Sequence, residues 1–301
     1  MRKYVLLSFL VALAMLAVPM VSLADSVTTN VNITVNNPAV QQVGLVGTIN
    51  WEQGIIEAKG TGIPPLNART AQQAQALARR AAMVDAYRQL AEIVNGVKID
   101  SETTVKDMEI ASDEIRTKVS ALIQGAVPVR EMPHPDGSYE VVMQLRLFGQ
   151  SSVMGAIAGA APTGEPKPFP EPTPGFSPPS SAVVYTGVVI DATGMTPAFL
   201  AAPRIHDTNG RAIYGNEFVD YDVANGRGLV DYVASPEELA KIDMGQSRAG
   251  SNPLFVKCLG LRDGVENNEN FVISVEDADK ILAANAQSGF LKRWAVVVKL
   301  Q

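Results

Sequence analysis

The chain has 301 residues, with 25 Lys or Arg against 31 Asp or Glu, a formal net charge of −6, one cysteine and two histidines. An acidic balance of this kind carries no electrostatic footprint for nucleic acid. A lone cysteine excludes an internal disulfide, so stability must come from packing, and the length allows two domains.

Residues 1–24 have the layout of a bacterial export signal. Arg2 and Lys3 form a short basic start, Leu6 to Val21 is almost wholly apolar, and Ser22-Leu23-Ala24 puts small residues at −3 and −1 of a cleavage site before Asp25. The apolar core is too short to favour a permanent span. Cleavage after Ala24 sends the mature chain to the periplasm or outside the cell. Asp25 stands where a lipid-bearing cysteine would have to be, and the only cysteine is Cys258. No direct lipid anchor is expected.

A polar arm, residues 25–42, follows. It either stays disordered or, through Val31, Ile33 and Val35 alternating with Asn32, Thr34 and Asn36, supplies a strand to a neighbouring subunit's sheet. The first domain, 43–149, opens with a hairpin of Leu45 to Trp51 and Ile55 to Thr61 around Glu52-Gln53-Gly54. Thr70 with Gln73 starts a helix that runs to Asn95 and stops at Gly96. Met83, Ala86, Leu90 and Ile93, with a second row of Val84, Tyr87, Ala91 and Val94, give it an apolar face broad enough to lie on a sheet. Val97 to Val105 reads as a polar-alternating strand. Ser112 caps a second helix bearing Ile115, Val119 and Leu122, which closes at Gly125. A hairpin then turns at Pro135-Asp136-Gly137, with Tyr139, Val141, Met143, Leu145 and Leu147 on its buried face.

Between Pro162 and Pro179 eight of eighteen residues are proline. Such a stretch, within a linker at 150–180, is expected as a polyproline II spacer reaching up to about 55 Å. The second domain, 181–301, is richer in strands. These are Val183 to Asp191, a hairpin around Asn209-Gly210, Leu254 to Leu261, Phe271 to Val275 and Trp294 to Leu300. Helices start at Ser235-Pro236-Glu237-Glu238 and at Ser274 with Asp277. The fold class is α+β: two domains, each an antiparallel or mixed sheet with helices on one face, joined by a proline-rich linker.

The strand with Gly60-Thr61-Gly62-Ile63, the alanine-rich helix Ala78 to Val94, its exit Gly96-Val97-Lys98-Ile99-Asp100 and the Asp136-Gly137 hairpin carry a resemblance. Over roughly residues 55–148 this region resembles the Lpp-twenty lipoprotein-like domain family of outer-membrane and flagellar ring- or disk-associated proteins. The resemblance implies a helix across a curved sheet, a secreted or outer-membrane-associated setting, no enzymatic activity, and assembly roles. This chain lacks the family's lipid-bearing cysteine, which puts direct anchoring in doubt.

Reactive groups do not converge in the sequence. His134 and His206 read as surface turn residues, too isolated for a Ser-His-Asp site or a zinc site. Cys258 reads as a small buried hydrophobe on a strand. Asp220-Tyr221-Asp222 and Glu276-Asp277-Ala278-Asp279 lack a calcium-loop pattern, and the latter suits a helix start. Gly226-Arg227-Gly228 and Gly44 to Gly47 are too sparse for a phosphate loop. Arg79 and Arg80 sit on the helix shoulders, where they cover its edge or meet a partner. No catalytic, cofactor-binding or metal-binding residue is assigned, and no cofactor is expected. The reading is an exported non-enzymatic interaction or assembly protein of the cell envelope, associated with the outer membrane or flagellar basal structures. Its partners are envelope proteins or further copies of itself. The alternative is a periplasmic small-ligand-binding module, with Trp51, Tyr87 and Tyr139 as lining or core.

Overall fold

The computed structural model describes residues 37–157, 165–177, 183–219 and 226–301. The export signal, the alternating stretch of the arm, both ends of the proline-rich segment and Asp220-Tyr221-Asp222 lie outside the described residues.

The N-terminal sheet consists of β1 (Val40–Val43), β2 (Gly47–Asn50), β3 (Ile55–Gly62), β4 (Val127–Pro133) and β5 (Tyr139–Arg146). Its order is β1-β2-β3-β5-β4, antiparallel throughout. Val40, Gln41 and Gln42, expected in the polar arm, are part of its first strand. They are held there by pairing with β2 and by the Trp51 indole N–H, which donates to Gln41 Oε1 at 2.8 Å.

Across β3 and β5 lies α1 (Ala71–Asn95), which begins and ends where its sequence signals place it. Thr70 accepts from the Gln73 N–H, and the Gln73 side chain reaches back to the Arg69 N–H. Its buried face is narrower than the apolar pattern suggests. Ala78, Ala82, Ala86, Leu90, Ile93 and Val94 are buried, whereas Val84 is 62 % exposed. The small residues face the sheet because β3 presents Gly60 and Gly62 to them. A Cβ on Gly60 would lie 2.2 Å from the Ala82 carbonyl oxygen, and one on Gly62 would lie 2.0 Å from that of Ala78. Backbone touches backbone here, and only glycine leaves room.

The expected strand Val97 to Val105 does not form. Only an isolated bridge, Lys98 to Thr104, remains. Asp100 Oδ1 accepts from the Glu102 and Thr103 N–H groups, and Thr104 with Asp107 makes a full capping box. These local side-chain bonds turn the chain and start α2 (Val105–Ala111). Next, α3 (Asp113–Gln124) runs from Ser112 to Gly125 as expected and packs on α1.

After β5 the chain does not enter an extended spacer. Its first residues form α4 (Val153–Ile157), because Val153, Met154 and Ile157 are apolar and find burial against α3. Residues 165–177 then lie along the C-terminal domain: the Lys167 N–H donates to the Glu217 carbonyl, and Phe169 stacks on Phe218 at 5.7 Å. The expectation of a free polyproline II spacer is therefore corrected for the described residues 165–177. The prolines remain a connector, but their intervening side chains bind the domain they lead to.

The C-terminal half has two four-stranded sheets. One, in the order β10-β6-β13-β9, joins β6 (Gly187–Asp191), β9 (Asp231–Val233), β10 (Pro253–Lys257) and β13 (Val296–Lys299), all parallel. The other, in the order β11-β12-β7-β8, joins β7 (Ile205–Asp207), β8 (Ala212–Tyr214), β11 (Gly260–Arg262) and β12 (Asn270–Ile273) and is mixed. The single strand expected over Leu254 to Leu261 is divided between the sheets. Cys258 sits at the corner, its thiol donating to the Gly260 carbonyl at 3.1 Å. Two capped helices, α5 (Pro236–Asp243) after Ser235 and α6 (Val275–Ser288) after Ser274, complete the half. The architecture is α+β, and buried side chains from both halves make one continuous core.

Candidate functional site

The two halves meet through the β2–β3 turn of the first. Trp51 is 3 % exposed and stacks on Phe199 at 5.6 Å, with Tyr232 edge-on at 6.1 Å and Phe148 at 6.3 Å. Next to it Glu52 reaches into the C-terminal half. Its Oε1 accepts from the Ala234 N–H at 2.7 Å and the Ser235 N–H at 2.8 Å, at the start of α5. A carboxylate there meets free donors and the positive end of the helix dipole. Burial pushes the Tyr232 hydroxyl up out of reach of ionisation, and it bonds to the backbone of Leu200 instead.

The segment that follows α1 supplies the second contact. Ala201 and Ala202 donate N–H bonds to the carbonyls of Lys98 and Ile99. Asn216 donates to Asp100, Asn270 donates to Ser101, and Lys98 pairs with Glu269, which is 2 % exposed. The turn that replaces the expected strand is thus a docking element. Alternation alone predicts sheet here, and no short window of sequence shows the distant partners Glu269 and Asn270.

The other end of the first domain points away from this base, since β3 runs from Ile55 beside the junction to Gly62. There Ile63 is 77 % exposed and Leu66 fully so, with Pro64 against Gly137 of the β4–β5 turn. Leu77 and Met132 add partly exposed apolar surface. The adjacent edge strand β4 is blunted by Pro128, Pro133 and a register shift between Pro128 and Arg130, which discourage strand addition. Arg79, on the helix shoulder, is engaged within the domain. Its Nε and Nη2 donate to the Glu131 carboxylate at 2.6 and 2.7 Å, while Tyr139 donates to the same group at 3.1 Å. These bonds hold the Glu131 carboxyl below its ordinary value. Arg80 is exposed.

Other singled-out residues are scattered. His134 is exposed in its turn, as expected, but His206 is buried in β7 and not at the surface. The correction follows from its strand: all three residues of β7 are buried, so the sheet is covered on both faces there. Among the described residues neither ring nitrogen makes a hydrogen bond of good geometry, and Asp263 Oδ2 lies 3.6 Å from Nε2. Burial, followed by the charge of Arg262, lowers its pKa. Cys258 is buried, and burial pushes its thiol up. Glu276 and Asp277 occupy the first turn of α6, whereas Asp279 is buried and pairs with Arg211. Trp51 is core, Tyr87 donates weakly to the Gln124 carbonyl, and Gly226 accepts from the Gly149 N–H at the junction. Among the described residues no group of three His, Cys, Asp or Glu is placed to hold a metal, and no helix is long and apolar enough to cross a membrane.

Fold and surfaces together define a two-domain α+β protein with a fixed junction and an apolar end. Residues 64–146 match the LPP20 lipoprotein family, in line with the resemblance carried by the glycine strand, helix and hairpin. Residues 187–301 match a family described as Treponema pallidum Tp0624, second domain. No curated protein matches the chain. The LPP20 match implies an exported, envelope-associated protein.

Proposed function

We propose that the protein is a non-enzymatic interaction or assembly component of the bacterial cell envelope, released by a cleaved signal peptide and not held by a lipid of its own. A finer placement, at the outer membrane or in a flagellar basal structure, belongs to the same proposal and rests on resemblance alone. One observation supports the reading most. The LPP20-like domain is fixed at its base through Trp51 and Glu52 and offers Ile63 and Leu66 to solvent at its opposite end. Large aliphatic side chains grouped at a rigid tip, beside proline-stiffened loops, suit a contact surface for another protein. Envelope proteins or further copies of the chain are the partners this surface would meet.

In-cell crosslinking of the exported form, read by mass spectrometry, tests it. Crosslinks should run from the Ile63 to Leu66 loop to a neighbouring subunit. They should disappear in the double variant Ile63→Asp, Leu66→Asp while its melting temperature stays unchanged. Undiminished crosslinks in that variant, or none at all in the wild-type chain, would refute it.

A further inference from the structure

The described part of the proline-rich segment alternates. Pro166, Pro168, Pro170, Pro172 and Pro174 are separated by Lys167, Phe169, Glu171 and Thr173. Proline has no N–H, so this run has few donors to satisfy and can stand clear of its neighbours without leaving buried groups unpaired. It is nevertheless pinned near both ends. The Lys167 N–H donates to the Glu217 carbonyl at 2.8 Å, and the Thr173 N–H donates to Asp279 Oδ1 at 3.0 Å. Arg211 strengthens the second pin. It pairs with Asp279 at 2.7 Å and Asp207 at 2.9 Å, and also donates to the Glu171 carbonyl at 3.0 Å. Burial of Asp279 opposes its charge, but the bonds from Thr173 and Arg211 outweigh that and keep the carboxyl below its ordinary value.

A stiff strap fixed at two points does not collapse onto α6. It leaves a cleft of about 800 Å³ between them. The walls are mainly apolar: Phe169 on the strap, Phe218 and Val219 beneath it, Leu282 and Ala286 on α6. Among the described residues, two cationic side chains, Lys167 and Lys292, line it against one acidic residue, Glu171, and both lysines are exposed. On an acidic chain such a local surplus of positive charge is a distinct feature. An apolar cleft of this size with a few polar groups is the usual form of a small-molecule site.

We propose that this cleft binds a single-chain amphiphile with a carboxylate head. The chain lies against Phe169, Phe218 and Leu282, and the carboxylate meets Lys167 and Lys292. The proposal is independent of the assembly reading, because the strap lies on the C-terminal half and the apolar tip on the other.

The test titrates the full mature chain with dodecanoate, dodecanol and dodecylamine below their micelle concentrations, followed by calorimetry and thermal shift. Dodecanoate should bind more tightly than the alcohol, and the alcohol more tightly than the amine. Ala286→Phe fills the cleft from an exposed helix position that bears on no core packing, and should weaken dodecanoate by at least about tenfold. Lys167→Glu with Lys292→Glu should weaken dodecanoate about tenfold while leaving dodecanol within about twofold. No binding of dodecanoate by the wild-type chain, equal affinity for acid and alcohol, binding untouched by Ala286→Phe, or an acid preference that survives charge reversal would each overturn the proposal.

Discussion

Gly60→Ala is the sharpest test of how the LPP20-like domain holds together. The new Cβ would lie 2.2 Å from the Ala82 carbonyl oxygen and 2.3 Å from the Ala86 nitrogen. Both are backbone atoms of α1, so no rotamer change relieves the clash. The helix must retreat from β3 by about 1 Å, and a gap of that size forfeits up to about half of each dispersion contact along the Ala78, Ala82 and Ala86 ridge. The expected loss is about 3 kcal/mol, at the upper end for overpacking. For a chain of this size that lowers the melting temperature by about 5 °C. Gly96→Ala is the control: its φ is −83° and its Cβ would meet the Ile93 carbonyl oxygen at an ordinary 3.5 Å. Scanning calorimetry of the two variants reads the difference. If Gly60→Ala melts within about 2 °C of the wild-type chain, with amide exchange in β3 and α1 unchanged, backbone contact is not what seats the helix.

Two further outcomes follow from the junction and the core. Trp51→Ala removes an indole held by three aromatic rings and should cost about 3–5 kcal/mol. Because the core is continuous, it should also split one calorimetric transition into two, and a single unshifted transition would contradict the fixed junction. His206 is buried with a lowered pKa, so folding favours its neutral form. Its contribution is fully present above the ordinary histidine value and is lost as pH falls below about 6.5 toward the folded value. Arg262, Arg204 and Asp263 face it, and the carboxylate is too close to its own low range to titrate in that window. Melting curves at pH 7.5 and 5.5 should therefore converge in His206→Gln; an unchanged pH slope would exclude this origin.

Helix ends were the most legible part of the sequence. Thr70, Ser112, Ser235 and Ser274 each cap the helix that follows, and Gly96 and Gly125 end theirs. These signals are local, so a few residues contain the physics. The Asn209-Gly210 hairpin is legible for the same reason, with Gly210 at φ +85°. Alternation misled at Val97 to Val105, where Asp100 and Asp107 bond to nearby backbone and win over sheet pairing. The seat of α1 was half legible. Alanines at 78, 82 and 86 register weakly as apolar, and their importance shows only once Gly60 and Gly62 are opposite. Composition marks the proline segment but not where it lies, because Phe169 with Phe218 and Thr173 with Asp279 are meetings across 49 and 106 residues. The strap cleft and the Glu52 cap are products of such meetings and leave no mark in any short window.

That Glu52 binds the Ala234 and Ser235 N–H groups just ahead of α5 bears on how this chain can be dissected. A fragment cut between residues 157 and 183 would leave Ala234 and Ser235 with open donors on one piece and a bare Trp51 on the other. Each half would carry an unfinished, adhesive face and tend to clump when produced alone. Mixing the two halves should restore solubility, which makes split-chain complementation a natural way to study this protein in living cells.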